Sequence, residues 1–330
     1  MLIETGNDQK FRAVSKAIGI SLLIYYLFLS AESLGLFLSL TPMGAFFQFF
    51  SQILFPVLGA SVSVLVFKAV LNKPGREGLY VPFSARPSLP FETPLYVLSA
   101  VALVRLAAFL NSGFIGQLAV FTIPEPYTFG PDVELSMMAI TVAMVAGFFE
   151  ELMFRGCICQ NLIRFGKMKA IVISAMFFSL MHGNLSQLFY TFVAGLIFGW
   201  FYVKTGSIWL GVITHFCNNL FSLLFSFIAQ QTTMHPEEIV GVMMLFYAAA
   251  FLSACALAVI MIVRKKRSTG LSASSFDRVR QTLNDEEPYI EYMPAKRVIR
   301  NLITVPNVIF FVLIAGSIIS VAFFQEALYG

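Results

Sequence analysis

The chain has 330 residues, of which 58% are hydrophobic and 12% charged, and its mean hydropathy is +0.80. That composition lies far outside the range of soluble domains and excludes a water-soluble globular protein; it describes a polytopic membrane protein. The net charge of +4 requires no nucleic-acid partner, because the positions of the basic residues have another explanation.

Apolar runs suited to crossing roughly 30 Å of hydrocarbon at about 1.5 Å per residue fall at 18–40, 45–71, 95–123, 135–158, 169–183, 187–203, 207–230, 239–263 and 302–324. The fifth and sixth are short for separate spans. The first continues to Leu40 with no small-x-small cleavage site after it, so it reads as a span and not as a cleaved signal. The expectation is an all-α, polytopic transmembrane helix bundle of about eight to nine membrane helices.

Positive charge collects in cytoplasmic loops. With the N-terminus cytoplasmic, every one of the 22 Lys and Arg residues except Arg105 and Arg155 falls in an inside segment. The outside loops hold Glu125 and Asp132, then Glu237 and Glu238 beside His235. The expected organisation is three N-terminal membrane helices over 1–134, a core over 135–263, a basic cytoplasmic linker over 264–301 with room for a short surface helix, and an additional membrane helix over 302–330. The linker opens with Arg264-Lys265-Lys266-Arg267, a stop-transfer signal that also suits anionic lipid of the surrounding bilayer.

The four cysteines, Cys157, Cys159, Cys217 and Cys255, lie inside predicted spans and form no CxxC pair, so they read as small apolar packing residues. Gly195-x-x-x-Gly199 reads as a helix-packing motif.

A charge at membrane depth costs a few kcal/mol or more, so each one marks a functional hypothesis. The ionisable residues inside the spans are Glu32, Arg105, Glu150, Glu151, Arg155, His182 and His215, with the amide of Asn219 as companion. Glu151 and Arg155 stand four apart in FFEELMFRG, the order that favours an ion pair on one helix face. Glu150 is turned by about 100° from that face. Its positions at i+4 and i−3 are Phe154 and Gly147, which gives it no partner and leaves room beside it. A carboxylate free of ion pairs is available as a general base; the plainer alternative is a hydrogen-bonding residue of the bundle core. Helical rise puts Glu150, His182 and His215 roughly 12 to 20 Å from the cytoplasmic edge, where they can share one layer. Glu32 and Arg105 lie at comparable depth and read as a structural pair between the first and third helices.

The ordered combination of Glu150-Glu151-x-x-x-Arg155, Phe178-x-x-x-His182 and His215-x-x-x-Asn219 on consecutive spans resembles the CPBP family of intramembrane proteases, which includes the type II CAAX prenyl proteases and bacteriocin-processing and immunity proteins. The resemblance covers about 135–230 and implies peptide-bond hydrolysis within the membrane. It implies that Glu150, helped by His182, activates water, that His215 and Asn219 stabilise the oxyanion, and that Glu151, Arg155 and Phe178 give structural support. A metal-free mechanism is the favoured expectation; zinc held by Glu150, His182 and His215 is the alternative.

The substrate expected is a membrane-bound or lipid-anchored peptide reaching a cytoplasm-facing site in a multi-pass protein of the cell membrane, with a bacterial host suggested by the family. Prenylation of the substrate and the oligomeric state are left open. Two other classes compete: a non-catalytic scaffold or chaperone that keeps the polar cluster, and an ion-coupled transporter using it as a proton relay.

Overall fold

Backbone amides in a lipid-soluble chain have no water to bond, so they pair within helices. The computed structural model describes residues 6–38, 44–83, 89–117, 139–231, 236–267 and 293–329, and among these all regular structure is helical. The helices are α1 (Gly6–Leu38), α2 (Gly44–Leu71), α3 (Thr93–Gln117), a rod α4 over 139–165, α5 (Lys167–Met181), α6 (Leu185–Thr205), α7 (Trp209–Gln231), α8 (Pro236–Arg267), α9 (Ala295–Leu302) and α10 (Val305–Tyr329). The nine predicted apolar runs are helical over their described parts apart from 182–183, 207–208 and 303–304.

Among the described residues, five single helices are long and apolar enough to cross a membrane, or six if the 80° bent pair of α9 and α10 forms one span. The other predicted runs fall short of that length and composition among the described residues for identifiable reasons. The rod α4 changes helix type along its length, and α5 has only 15 residues. In α8 the stretch Met244–Leu257 is a shorter apolar helix among the described residues. Glu125, Asp132, His235 and most of the 264–301 linker lie outside the described residues. The linker's far end supplies the expected surface helix, α9, whose polar face turns to the start of α1: Arg297 donates to Asp8, and Asn301 Nδ2 donates to Asp8 Oδ1 at 2.7 Å.

The rod α4 alternates π-helical turns (Ala139–Val145 and Leu152–Cys159) with α-helical ones (Ala146–Glu151 and Gln160–Leu162) and closes in a 3-10 turn (Ile163–Phe165). The two carboxylates of FFEELMFRG end the α-helical segment between the two π segments, a placement often found at functional sites. Gly166, at φ 122°, turns the chain into α5, and Gly206, at φ 68°, ends α6; both need a left-handed or extended positive φ that glycine adopts without strain.

Contacts gather the segments carrying the basic loops at one end of the bundle. Phe11 of α1 meets the Phe165 ring edge-on with centroids 4.9 Å apart. Arg164 donates to the Gly78 carbonyl at 3.2 Å, Tyr202 donates to Gln160 Oε1 at 2.7 Å, and Lys204 donates to the Tyr96 hydroxyl at 2.6 Å. Asn161 anchors the 72–83 loop here, its Oδ1 accepting from the Val81 N–H at 2.7 Å and its Nδ2 donating to the carbonyls of Val81 at 3.2 Å and Cys157 at 2.9 Å. Behind these contacts lies an apolar plug of Met153, Phe154, Cys157, Ile158 and Leu162, all fully buried. Cys157 and Cys159 pack as expected, whereas Cys217 is half-buried and Cys255 exposed, so those two are not core residues.

Replacing Asn161 by leucine strips the buried Val81 amide and carbonyl of their partners. The Asn161→Leu variant is expected to lose about 2–4 kcal/mol of stability, measured by thermal unfolding in detergent; an unchanged midpoint contradicts the anchoring role.

Candidate active site

Arg155 is fully buried at membrane depth and needs its charge paired there, which it achieves through both Nη atoms while its Nε makes no hydrogen bond. Its Nη1 donates to Glu151 Oε1 at 2.7 Å, the pair expected from the i, i+4 spacing. Its Nη2 donates to the Gly195 carbonyl at 3.2 Å, and its guanidinium lies 4.4 Å from the Phe178 ring centre and 5.2 Å from that of Phe198. Gly195 serves a second purpose, since a Cβ there would come within 2.8 Å of the Ala175 backbone. With Gly199 it lets α6 press onto α5, as the Gly-x-x-x-Gly spacing suggested.

Glu151 does more than brace its own helix. The same Oε1 sits 3.3 Å from Nδ1 of His215 on α7, closer than the 3.9 Å between His215 Nε2 and Glu150 Oε2. A carboxylate only accepts, so Nδ1 carries a proton and Nε2 is the atom turned to Glu150. The sequence carried a signal for this contact in Gly211, one turn before His215: a Cβ at 211 would stand 2.6 Å from Glu151 Oε2. Gly147 makes the matching approach from α4, where a Cβ would lie 3.4 Å from the Phe216 amide. The room expected beside Glu150 is therefore taken by the backbone of α7.

Glu150 is only partly buried, and its Oε2 has no hydrogen-bond partner. His182, just past the last turn of α5, pairs its Nδ1 with the Phe178 carbonyl at 2.9 Å. A carbonyl cannot donate, so the proton is on Nδ1 and Nε2 keeps its lone pair. Phe178 is more central than a packing residue beside one histidine. Its ring meets His182 at 5.1 Å, His215 at 5.7 Å and Phe154 at 5.2 Å between centroids, each edge-to-face. Asn219 Nδ2 donates to the Val142 carbonyl at 3.0 Å, and its Oδ1 accepts from Asn218 at 3.1 Å. One N–H of the Asn219 amide remains beyond that bond.

Glu150, His182, His215, Asn219 and Phe178 all line one cavity of about 710 Å³. Its walls include Arg105, which spacing alone would not have placed there. Arg105 donates to Ser222 and lies 5.7 Å from the Tyr190 ring centre, while the Glu32 side chain is outside the described residues. A second cavity of about 310 Å³ reaches Glu150 and His182 from the α1 and α10 side, past Tyr26 and Ser317.

The main cavity extends from Glu150 away from the basic end. Asn111 lies about 27 Å along α3, Ser226 about 25 Å along α7, and Ser186 opens α6, whose last turn holds Lys204. The physical reason is the packed plug of α4, which fills the bundle between Arg155 and the basic end.

Two imidazoles and a carboxylate are suitable chemistry for zinc. Among the described residues no three His, Cys, Asp or Glu side chains come together as a metal-holding group. In both histidines Nδ1 is engaged, by the Phe178 carbonyl and by Glu151, and Nε2 is the nitrogen left open.

Residues 132–221 match the family model for the Rce1-like type II CAAX prenyl endopeptidase, consistent with a CPBP-type intramembrane protease. The match takes in Glu150, Glu151, Arg155, Phe178, His182, His215 and Asn219 and leaves out α1 to α3 and α8 to α10. No curated protein and no solved structure matches the chain.

Removing one member of the buried ion pair strands the other. Arg155→Met is expected to cost about 3–5 kcal/mol, and adding Glu151→Gln to restore part of it. A double-mutant cycle on unfolding midpoints checks this; strict additivity of the two changes contradicts the coupling.

Proposed function

We propose that the protein is an intramembrane endopeptidase in which Glu150 activates water without a metal. The Rce1-like domain supports a CAAX-type intramembrane protease in general. The observation that carries the finer reading is the division of labour between adjacent carboxylates. Glu151 is fully buried and held through Oε1 by Arg155 and His215, while Glu150 is partly exposed, lines the cavity and has His215 no closer than 3.9 Å.

In this reading a water molecule lies between Glu150 and His182 Nε2, which accepts one of its hydrogens and orients it. Glu150 takes the other proton as the oxygen attacks the scissile carbonyl. The oxyanion is met by the remaining N–H of Asn219 and by His215 Nε2, a role that belongs to the doubly protonated ring because Nδ1–H is directed at Glu151. Collapse breaks the C–N bond, and Glu150 returns its proton to the leaving amine. The products are a carboxylate-ended and an amine-ended fragment, with one water consumed. The cavity wall, which mixes aromatic side chains with amides and hydroxyls, suits a membrane-bound or lipid-anchored peptide, and a multi-pass cell-membrane protein is the setting that goes with it.

Cleavage of a membrane-peptide library by purified protein tests this. Glu150→Gln is expected to retain the fold and lose at least about 10³-fold in kcat, Asn219→Ala to lose about 10²-fold, and chelator to have no effect. Equal cleavage by the Glu150→Gln variant removes Glu150 from the mechanism. Activity lost to chelator and restored by zinc replaces the metal-free reading with the metal one. A folded protein that cleaves nothing favours the scaffold alternative.

A further inference from the structure

The family match and the motif residues leave undecided the side of the membrane from which the site is served. Two features of the molecule bear on it together. The first is charge: every Lys and Arg except Arg105 and Arg155 belongs to segments assigned to one side. The described ones among these segments meet at one end through Asp8 with Arg297, Phe11 with Phe165, Arg164 with Gly78, and Lys204 with Tyr96. Basic residues at the ends of membrane helices are retained on the cytoplasmic side, so this end is the cytoplasmic one.

The second is the direction of the cavity. Arg155, Met153, Phe154, Cys157 and Ile158 are fully buried between Glu150 and the basic end, and none of them lines the main cavity. The walls are instead the late turns of α3 and α7 and the first turn of α6, represented by Asn111, Ser226 and Gln187. Asn111 Nδ2 donates to the Ser186 carbonyl, joining α3 and α6 at that level. The side chains there are of mixed polarity, suited to a peptide backbone that needs hydrogen-bond partners once it leaves water.

We infer that the site opens on the face opposite the cytoplasm and takes its substrate there, as an extracytoplasmic peptide segment tethered to the membrane. This rests on the protease reading for its chemistry, but the side from which the cavity is reached stands separately. A cytoplasmic peptide would have to pass the sealed half of the bundle to reach Glu150. A segment outside the membrane reaches it along α6 and α7 without disturbing the Arg155 and Glu151 pair.

The experiment has two arms, both on the full-length chain in the plasma membrane of intact cells. In a background with the four native cysteines replaced, Gln187→Cys and Lys73→Cys are treated with a charged, membrane-impermeant methanethiosulfonate. The expected result is modification of the cysteine at 187 in intact cells, and of the one at 73 only after permeabilisation. Modification at 73 alone in intact cells overturns the inference, and so does reaction at 187 solely after permeabilisation. In the second arm, single-span reporters present a randomised juxtamembrane segment on the outer or on the cytoplasmic side. Cleavage that depends on Glu150 is expected only for the outer set, and Glu150-dependent cleavage confined to the cytoplasmic set overturns the inference. Absence of any cleavage counts against the protease reading, and the thiol arm then decides the opening alone.

Discussion

A guanidinium fully buried at membrane depth is the constraint around which the rest of the site is arranged. Arg155 cannot be left unpaired there, and an ion pair with Glu151 alone would leave other donors unanswered. The Gly195 carbonyl takes the second Nη, and the Phe178 and Phe198 rings lie against the guanidinium, drawing parts of α5 and α6 against α4. Because Glu151 also meets His215, the same charge fixes α7. One buried cation thus sets the mutual position of four helices, and the motif residues on α5 and α7 are oriented by the shell that stabilises it.

This arrangement separates stability from reactivity within two adjacent residues. Along a helix, neighbours point in directions about 100° apart, so Glu151 can be enclosed while Glu150 looks into an open space. The π-helical turns on either side widen the helix locally and shift its register, and the Val142 carbonyl in the first of them takes the Asn219 amide. The glycines at 147 and 211 bring α4 and α7 within reach of each other, so short side chains suffice to link them.

Much of this was legible in the sequence, and what was not has physical causes. The apolar runs located the helices because the membrane imposes length and composition directly. The Glu151 and Arg155 pair followed from spacing, since local geometry on one helix needs no tertiary information. The link from Glu151 to His215 was not readable in that way, because it spans 64 residues and depends on two glycines whose purpose appears only when α4 and α7 meet. Helix type was not legible either: a π-helical turn differs from an α-helical one by less than a residue in period, which hydropathy does not resolve. The division into separate spans was less legible, because α5 is short and α4 is interrupted, although both are apolar throughout most of their length.

The direction of the cavity was not legible for a related reason. Depth along each helix was estimated correctly enough to bring Glu150, His182 and His215 together, but depth does not say which side of a layer is filled. That is decided by which face each residue takes once the helix is packed. From α4 the cavity is lined by Val142, Ala146 and Glu150, while toward the basic end Met153, Phe154, Ile158, Leu162 and Phe165 are packed into the core. One helix therefore lines a cavity on one side of the carboxylate and fills the bundle on the other. Residue size along the chain does not mark the division, since Phe148 and Phe149 precede Glu150 and Gly156 and Cys157 follow it; the division appears only when the faces of α4 meet their neighbours.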